Sequence, residues 1–242
     1  MLFRVLTLFP EMFKGILENS ILKRAQDRGL LDVELINIRD YSTDKHHKVD
    51  DYPFGGGAGM VMKPEPFYAC FEALNIRPGA RVILLTPQGE TFTQEKAKEL
   101  IQESEITMIC GHYEGIDERV KSLVTDEISL GDFILTGGEI ASMAIIDCVG
   151  RLLPGTVGDP VSLQEESFNF GLLEYPHFTR PRSFKGCAVP DVLLSGNHHE
   201  IRCWRRAQAV ARTFFRRPDL LIDVPWEEDD RKTIDRILSD GS

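Results

Sequence analysis

The chain has 242 residues, with 42% hydrophobic and 27% charged side chains, proportions that exclude wholesale disorder and fibrous repeats and leave room for a sizeable core. Its formal net charge of −10 argues on average against nucleic acid as a partner. Five scattered cysteines without a C-x-x-C pair support neither a disulfide framework nor a zinc site.

Along the chain, residues 2–9, 33–38, 81–86, 106–110 and 127–130 read as strands from their β-branched and apolar runs. Helical spacing falls between most of them, at 19–28 (stopped by Gly29), 66–74, 93–102 with Thr93 as N-cap, 118–124 and 139–152. This alternation predicts an α/β domain with a mainly parallel sheet flanked by helices, its ligand crevice outside the carboxyl ends of the strands. The apolar runs fall short of the roughly 18 residues that a membrane span needs, which predicts no membrane partner. Pro10 and Glu11 interrupt the N-terminal apolar stretch, so a cytoplasmic address is expected. After Pro154 the alternation stops, and residues 155–169 are polar and broken by Gly and Pro. From about His177 a smaller helical region follows, including 201–215 and 231–238. Residues 227–230 form an acidic block that reads as a helix start or a solvated loop.

The charge is segregated. Residues 177–217 hold nine basic residues (Arg180, Arg182, Lys185, Arg202, Arg205, Arg206, Arg212, Arg216 and Arg217) against Asp191 and Glu200, a local +7. Trp204, Phe214 and Phe215 interleave them. Such a stripe suits phosphate contact and stacking as well as it suits a solvated helix face.

Gly55-Gly56-Gly57-Ala58-Gly59 ends neither in Gly-Lys-Ser/Thr nor in a G-x-G-x-x-G fingerprint, so it is either a ligand-hugging loop or a mobile one. More specific are three glycine-bearing turns, each directly after a strand: 86–89, 111–117 and 131–139. Three in succession would build one crevice with exposed backbone donors and acceptors, Gly137 and Gly138 offering free N–H groups unless they serve tight packing. His112 in the second turn is a weak catalytic candidate. Arg151, Glu165, Glu166 and Glu174 flank or occupy the polar connection, where most carboxylates serve solubility.

Three stretches, Gly111-His112-Tyr113-Glu114-Gly115-Ile116-Asp117-Glu118-Arg119, residues 130–139, and Gly171-Leu172-Leu173-Glu174-Tyr175-Pro176-His177-Phe178-Thr179-Arg180-Pro181, closely resemble bacterial tRNA (guanine-37-N1)-methyltransferases. The resemblance runs nearly end to end, through Leu6-Thr7-Leu8-Phe9-Pro10, residues 50–62 and Leu194-Ser195-Gly196-Asn197-His198. It implies a homodimer of the SPOUT class with a deep trefoil knot, an exception to the rule that chains do not thread loops. It also implies three segments: a knotted catalytic domain over 1–160, a flexible connection over 161–176 and a helical tRNA-binding domain over 177–242.

By the same resemblance S-adenosylmethionine is held by Leu85, Thr86, Pro87, Gly111, Tyr113, Glu114, Leu130, Gly131, Asp132, Phe133, Ile134, Leu135, Gly137 and Gly138. Arg180, Arg182, Lys185, Arg202, Arg205 and Arg206 are expected to meet tRNA phosphates. Arg151 is expected to stabilise charge on guanine O6. The family's general base is an aspartate in Asp-Ser-Phe, where this chain has Glu166-Ser167-Phe168. Glu166, one methylene longer, is then the expected base and Glu165 the weaker alternative. Two smaller departures are Phe133 for a common tyrosine and Ala141 for a common proline. The resemblance implies an active site shared between subunits and a magnesium dependence whose site is unassigned. The competing readings are another member of the same knotted class acting on ribosomal RNA or a different tRNA position, disfavoured by residues 171–181 and the Arg-rich C-terminal region, an RNA-binding protein without catalysis, and a nucleotide-dependent oxidoreductase, disfavoured by the missing glycine fingerprint.

Overall fold

The computed structural model describes residues 1–77, 79–158, 163 and 165–240. The chain divides into two compact units, Met1–Gly158 and Asp159–Ser242. No described helix is long and apolar enough to cross a membrane.

The first unit is built on β1 (Leu2–Thr7), β2 (Asp32–Asn37), β5 (Arg81–Thr91), β6 (Glu105–Cys110) and β7 (Asp126–Ser129), in the order β2-β1-β6-β5-β7 and parallel throughout. Alternation along each strand feeds two cores. Phe3 and Val5 of β1, Ile83 and Leu85 of β5, and Ile106 and Met108 of β6 face one layer. That layer is closed by α2 (Ser20–Asp27), α4 (Gln94–Leu100) and α5 (Glu139–Leu152) through Leu22, Ala97, Ile145 and Val149. Leu6, Val82, Leu84 and Ile109 point the other way, against Phe67 and Cys70 of α3 (Pro64–Ala73). Burial on both faces is why the strands read as continuous apolar runs. Removing a side chain such as Phe3 from water contributes about 1.5–3 kcal/mol.

Thr93 caps α4 as expected, accepting a hydrogen bond from the Lys96 N–H at 3.3 Å. Three features differ from the sequence reading. Residues 118–124, expected as a helix, form a 3-10 helix over Glu118–Leu123, opened by the Asp117 side chain accepting from the Arg119 N–H. The turn expected at 86–89 is instead a bulge inside β5, which re-enters register with β7 at Glu90. Two-residue hairpins, β3 (Asp50–Asp51) with β4 (Val61–Met62) and β8 (Ser183–Phe184) with β9 (Cys187–Ala188), are too short to leave a periodic signal.

The second unit centres on α6 (His198–Arg216) and α7 (Glu228–Asp240), with Leu172, Ala209, Val210 and Val224 buried among them. Asn197 caps α6, its side chain accepting from the N–H groups of His199 and Glu200. The acidic block is a helix start: Asp230 reaches back to accept from the Glu227 N–H at 2.9 Å, as in a capping box.

Candidate active site

In the first unit, β6, β5 and β7 are neighbours, so the bulge at 86–89 within β5 and the segments 111–117 and 130–138, which follow β6 and β7, lie on adjacent strands. The second and third segments are tied together. His112 and Gly137 form an antiparallel bridge, and the Gly138 N–H donates to Gly111 O at 2.9 Å. A Cβ on Gly138 would stand 2.7 Å from Cys110 Cα, and one on Gly89 would collide with the backbone of Glu127 and Ile128. Only glycine permits either approach. Gly138 is therefore buried with its N–H committed, which corrects the expectation of a free donor at that position.

The remaining residues assigned by resemblance to the methyl donor differ in exposure. Leu85 is buried; Thr86, Gly111, Leu130, Gly131, Leu135 and Gly137 are half-buried; Pro87, Tyr113, Glu114, Asp132, Phe133 and Ile134 are exposed. Apolar walls, exposed rings and turn backbone next to one another suit an adenosyl group with a polar amino-acid tail. The glycine loop 55–59 leads into these segments. Gly59 packs on the Glu114 side chain, the Glu114 N–H donates to Met60 O at 3.0 Å, and the Asp117 N–H donates to Met62 O at 2.9 Å. The last glycine of that loop thus approaches the second turn closely.

Sequence reasoning passed over one cluster here. Glu139, the first residue of α5, is 2% exposed, accepts from Thr7 Oγ1 at 2.7 Å and lies 3.3 Å from His112 Nε2. Its one signal was an acid directly after Gly-Gly at a helix start, a place where acids are ordinarily solvated. Arg151 stands in the last turn of α5.

Glu166 belongs to the second unit. Residues 165–176, read as flexible, are tied in turns. The Phe168 N–H donates to Leu172 O at 2.8 Å, Glu174 N–H to Ser167 Oγ at 3.0 Å, and Leu173 N–H to Thr213 Oγ1 on α6 at 2.9 Å. The expected connection also included 161, 162 and 164, which lie outside the described residues. The segment and α6 enclose a cleft of about 190 Å³ whose lining includes Glu165, Glu166, Phe170, Tyr175, Arg202 and Arg205. Arg205 lies over the Tyr175 ring at 4.7 Å and pairs with Glu165 at 3.2 Å, while the Tyr175 hydroxyl donates to Glu165. Burial, then that hydrogen bond, pushes the Tyr175 phenol up to about 12. Glu165 is thus engaged with two partners.

Arg180, Arg182, Lys185 and Arg202 are exposed. Arg206 departs from the expectation of phosphate contact. Its guanidinium holds the Asp230 carboxylate, 1% exposed, at 2.7 Å and donates to Pro225 O, and this pairing raises its pKa further. Among the described residues no three histidine, cysteine or acidic side chains converge as candidate metal ligands.

Glycine-bearing segments on adjacent strands of a parallel α/β unit, carried in one chain with a helical unit that bears the basic stretch 177–217, are the frame of an α/β protein with a charged surface suited to phosphate. Comparison with known proteins narrows the class. The profile of the family described as tRNA (Guanine-1)-methyltransferase TrmD matches residues 1–223. Proteins named tRNA (guanine-N(1)-)-methyltransferase from Staphylococcus epidermidis and Desulforamulus reducens are 57% and 56% identical, covering 95% of this chain in each case and 94% and 92% of the relative. One of the same name from Pelotomaculum thermopropionicum is 56% identical over 97% of this chain and 95% of its own length. The chain belongs to the tRNA (guanine-1)-methyltransferase family, and is a methyltransferase.

Proposed function

We propose that this protein transfers a methyl group from S-adenosylmethionine to N1 of the guanosine at position 37 of tRNA, acting in the cytoplasm as a homodimer. The observation that carries the reading is the family match over residues 1–223, which takes in both the strand-end crevice and the cleft around Glu166. A trefoil knot in the first unit is part of the same reading and rests on the family match.

The methyl donor is held along 85–87, 111–114 and 130–138. When bound there, it supplies an electrophilic methyl group. N1 of guanine carries a proton and is a poor nucleophile until that proton leaves. Glu166 accepts it, through a carboxylate one methylene longer than the family's aspartate. As the proton leaves, negative charge gathers at O6, where the Arg151 guanidinium stabilises it. The target base, in a loop beside the anticodon, can be unstacked into the cleft. Arg180, Arg182, Lys185 and Arg202 meet phosphates, and Arg205, already stacked on Tyr175, exchanges Glu165 for a phosphate. The base of one protomer serves the donor bound by its partner.

The test is single-turnover transfer from labelled S-adenosylmethionine to tRNA with guanosine or adenosine at position 37. Transfer confined to the guanosine substrate is expected; equal transfer to both, or to neither, overturns the reading. For the shared site, a mixed dimer of Glu166→Gln with Gly111→Trp is expected to keep one working site, and an inactive, folded mixed dimer would exclude that arrangement.

A further inference from the structure

Glu139 has no place in the chemistry described above, yet it is a carboxylate sealed from water. A buried anion is tolerated when its surroundings compensate it. Here the surroundings are specific: Glu139 stands in the first turn of α5, Thr7 Oγ1 donates to it at 2.7 Å, and His112 Nε2 stands at 3.3 Å. The cluster closes on itself. The Phe9 N–H donates to Thr7 Oγ1 at 2.9 Å, and the Phe9 ring packs on His112 with centroids 4.8 Å apart. Three elements thus meet at one point: the end of β1, the second turn through His112, and the entrance to α5 where the third turn finishes.

The third turn rests on this cluster. A Cβ on Gly137 would collide with both His112 Nε2 and Glu139 Oε2, so the backbone there lies directly against the pair. The other ionisable groups facing the pair are Cys110, whose thiol burial and the Glu139 charge push well up and so keep protonated, and Tyr113, whose ring meets His112 edge-on at 5.8 Å. Neither competes for the carboxylate as a cation. The fold itself has other supports, since α5 is anchored by Ile145, Ile146 and Val149 and β1 by Phe3 and Val5.

We propose that His112 and Glu139 are a positioning pair that fixes the second and third turns at the separation the methyl donor requires. This rests on the functional reading above. Neither residue touches the reacting atoms; both act through the turn backbone on either side.

The test is a double-mutant cycle on the full-length chain, using His112→Phe, which keeps a ring against Phe9, and Glu139→Leu. S-adenosylmethionine affinity is measured by calorimetry and tRNA affinity by filter binding. Each single variant is expected to weaken donor binding roughly tenfold, with tRNA affinity within about twofold, and the double variant to be no weaker than the worse single one. His112→Gln, which retains an N–H donor, is expected to stay within about threefold of the parent. Thr7→Val, close in volume, carries the test if an apolar variant does not fold, with an expected loss of about threefold. Unchanged donor affinity, additive losses, or tRNA affinity falling in step would each overturn the pairing. A parent chain that binds no S-adenosylmethionine overturns the functional reading and this inference together; a parent that binds while the variants match it overturns the inference alone.

Discussion

The crevice of the first unit and the cleft of the second are made in different ways. The crevice is backbone, one bulge and two turns carried by strands whose two faces are both buried, with glycines where segments approach too closely for a side chain. The cleft is side chain: Glu165, Tyr175, Arg202 and Arg205 over a small core of Leu172, Ala209, Val210 and Val224. A site that must hold one small molecule at fixed distances gains from a rigid frame. One that must receive an RNA loop gains from side chains that can exchange partners at little cost.

If that division of labour holds, damage to the two regions should separate cleanly. Glu166→Gln should lower single-turnover methyl transfer by roughly 10²–10⁴-fold, the range for removing a general base, while donor affinity stays unchanged. Glu165→Gln should fall by less than about tenfold; were it the more damaging change, the base would be the residue paired with Arg205 and Tyr175. In the same unit, Arg206→Met strands the buried Asp230 carboxylate and should cost about 3 kcal/mol of that unit's stability, read by urea denaturation. Methyl-donor affinity should not follow. In the first unit, Gly138→Val forces a side chain to begin 2.7 Å from Cys110 Cα, which should destabilise by about 1–3 kcal/mol and abolish donor binding while tRNA binding persists. Loss of both affinities in that variant would mean the regions are not independent.

The two regions were also unequally legible in the sequence. The strands and α5 were readable because burial on both sides imposes long apolar runs and because a 14-residue helix gives the period time to show. The turns could be placed because glycine density directly after a strand is a local signal. What escaped depends on distant partners. Nothing near Glu139 announces that Thr7, 132 positions away, will hold it, and nothing near Arg206 announces Asp230. The residues of 165–176 looked flexible because their polar composition is that of a loop, while the hydrogen bonds that order them come from one another and from Thr213 on α6. The role of Glu166 was reached through resemblance alone, since a carboxylate in a polar stretch carries no mark of its chemistry.

Tyr175 gives the gentlest probe of whether the cleft is closed before RNA arrives. Burial and the hydrogen bond to Glu165 raise its phenol to about 12, against about 10 for an unfolded chain. Below pH 10 the phenol is protonated in both states and its contribution to stability is fully present. Between about 10 and 12 the unfolded chain has given up the proton and the folded one has kept it, so the contribution falls as pH rises and is lost once the folded pKa is passed. Phenolate absorbance should show one tyrosine titrating near 12 that disappears in Tyr175→Phe. In Glu165→Gln it should titrate lower, because burial remains while the carboxylate acceptor is gone. Saturating tRNA should move it the opposite way if phosphate draws Arg205 off, because the Arg205 charge is what lowers it. A Tyr175 that titrates near 10 in the free protein would mean the cleft is open from the outset, and the contrast with the rigid crevice would then lie in packing alone.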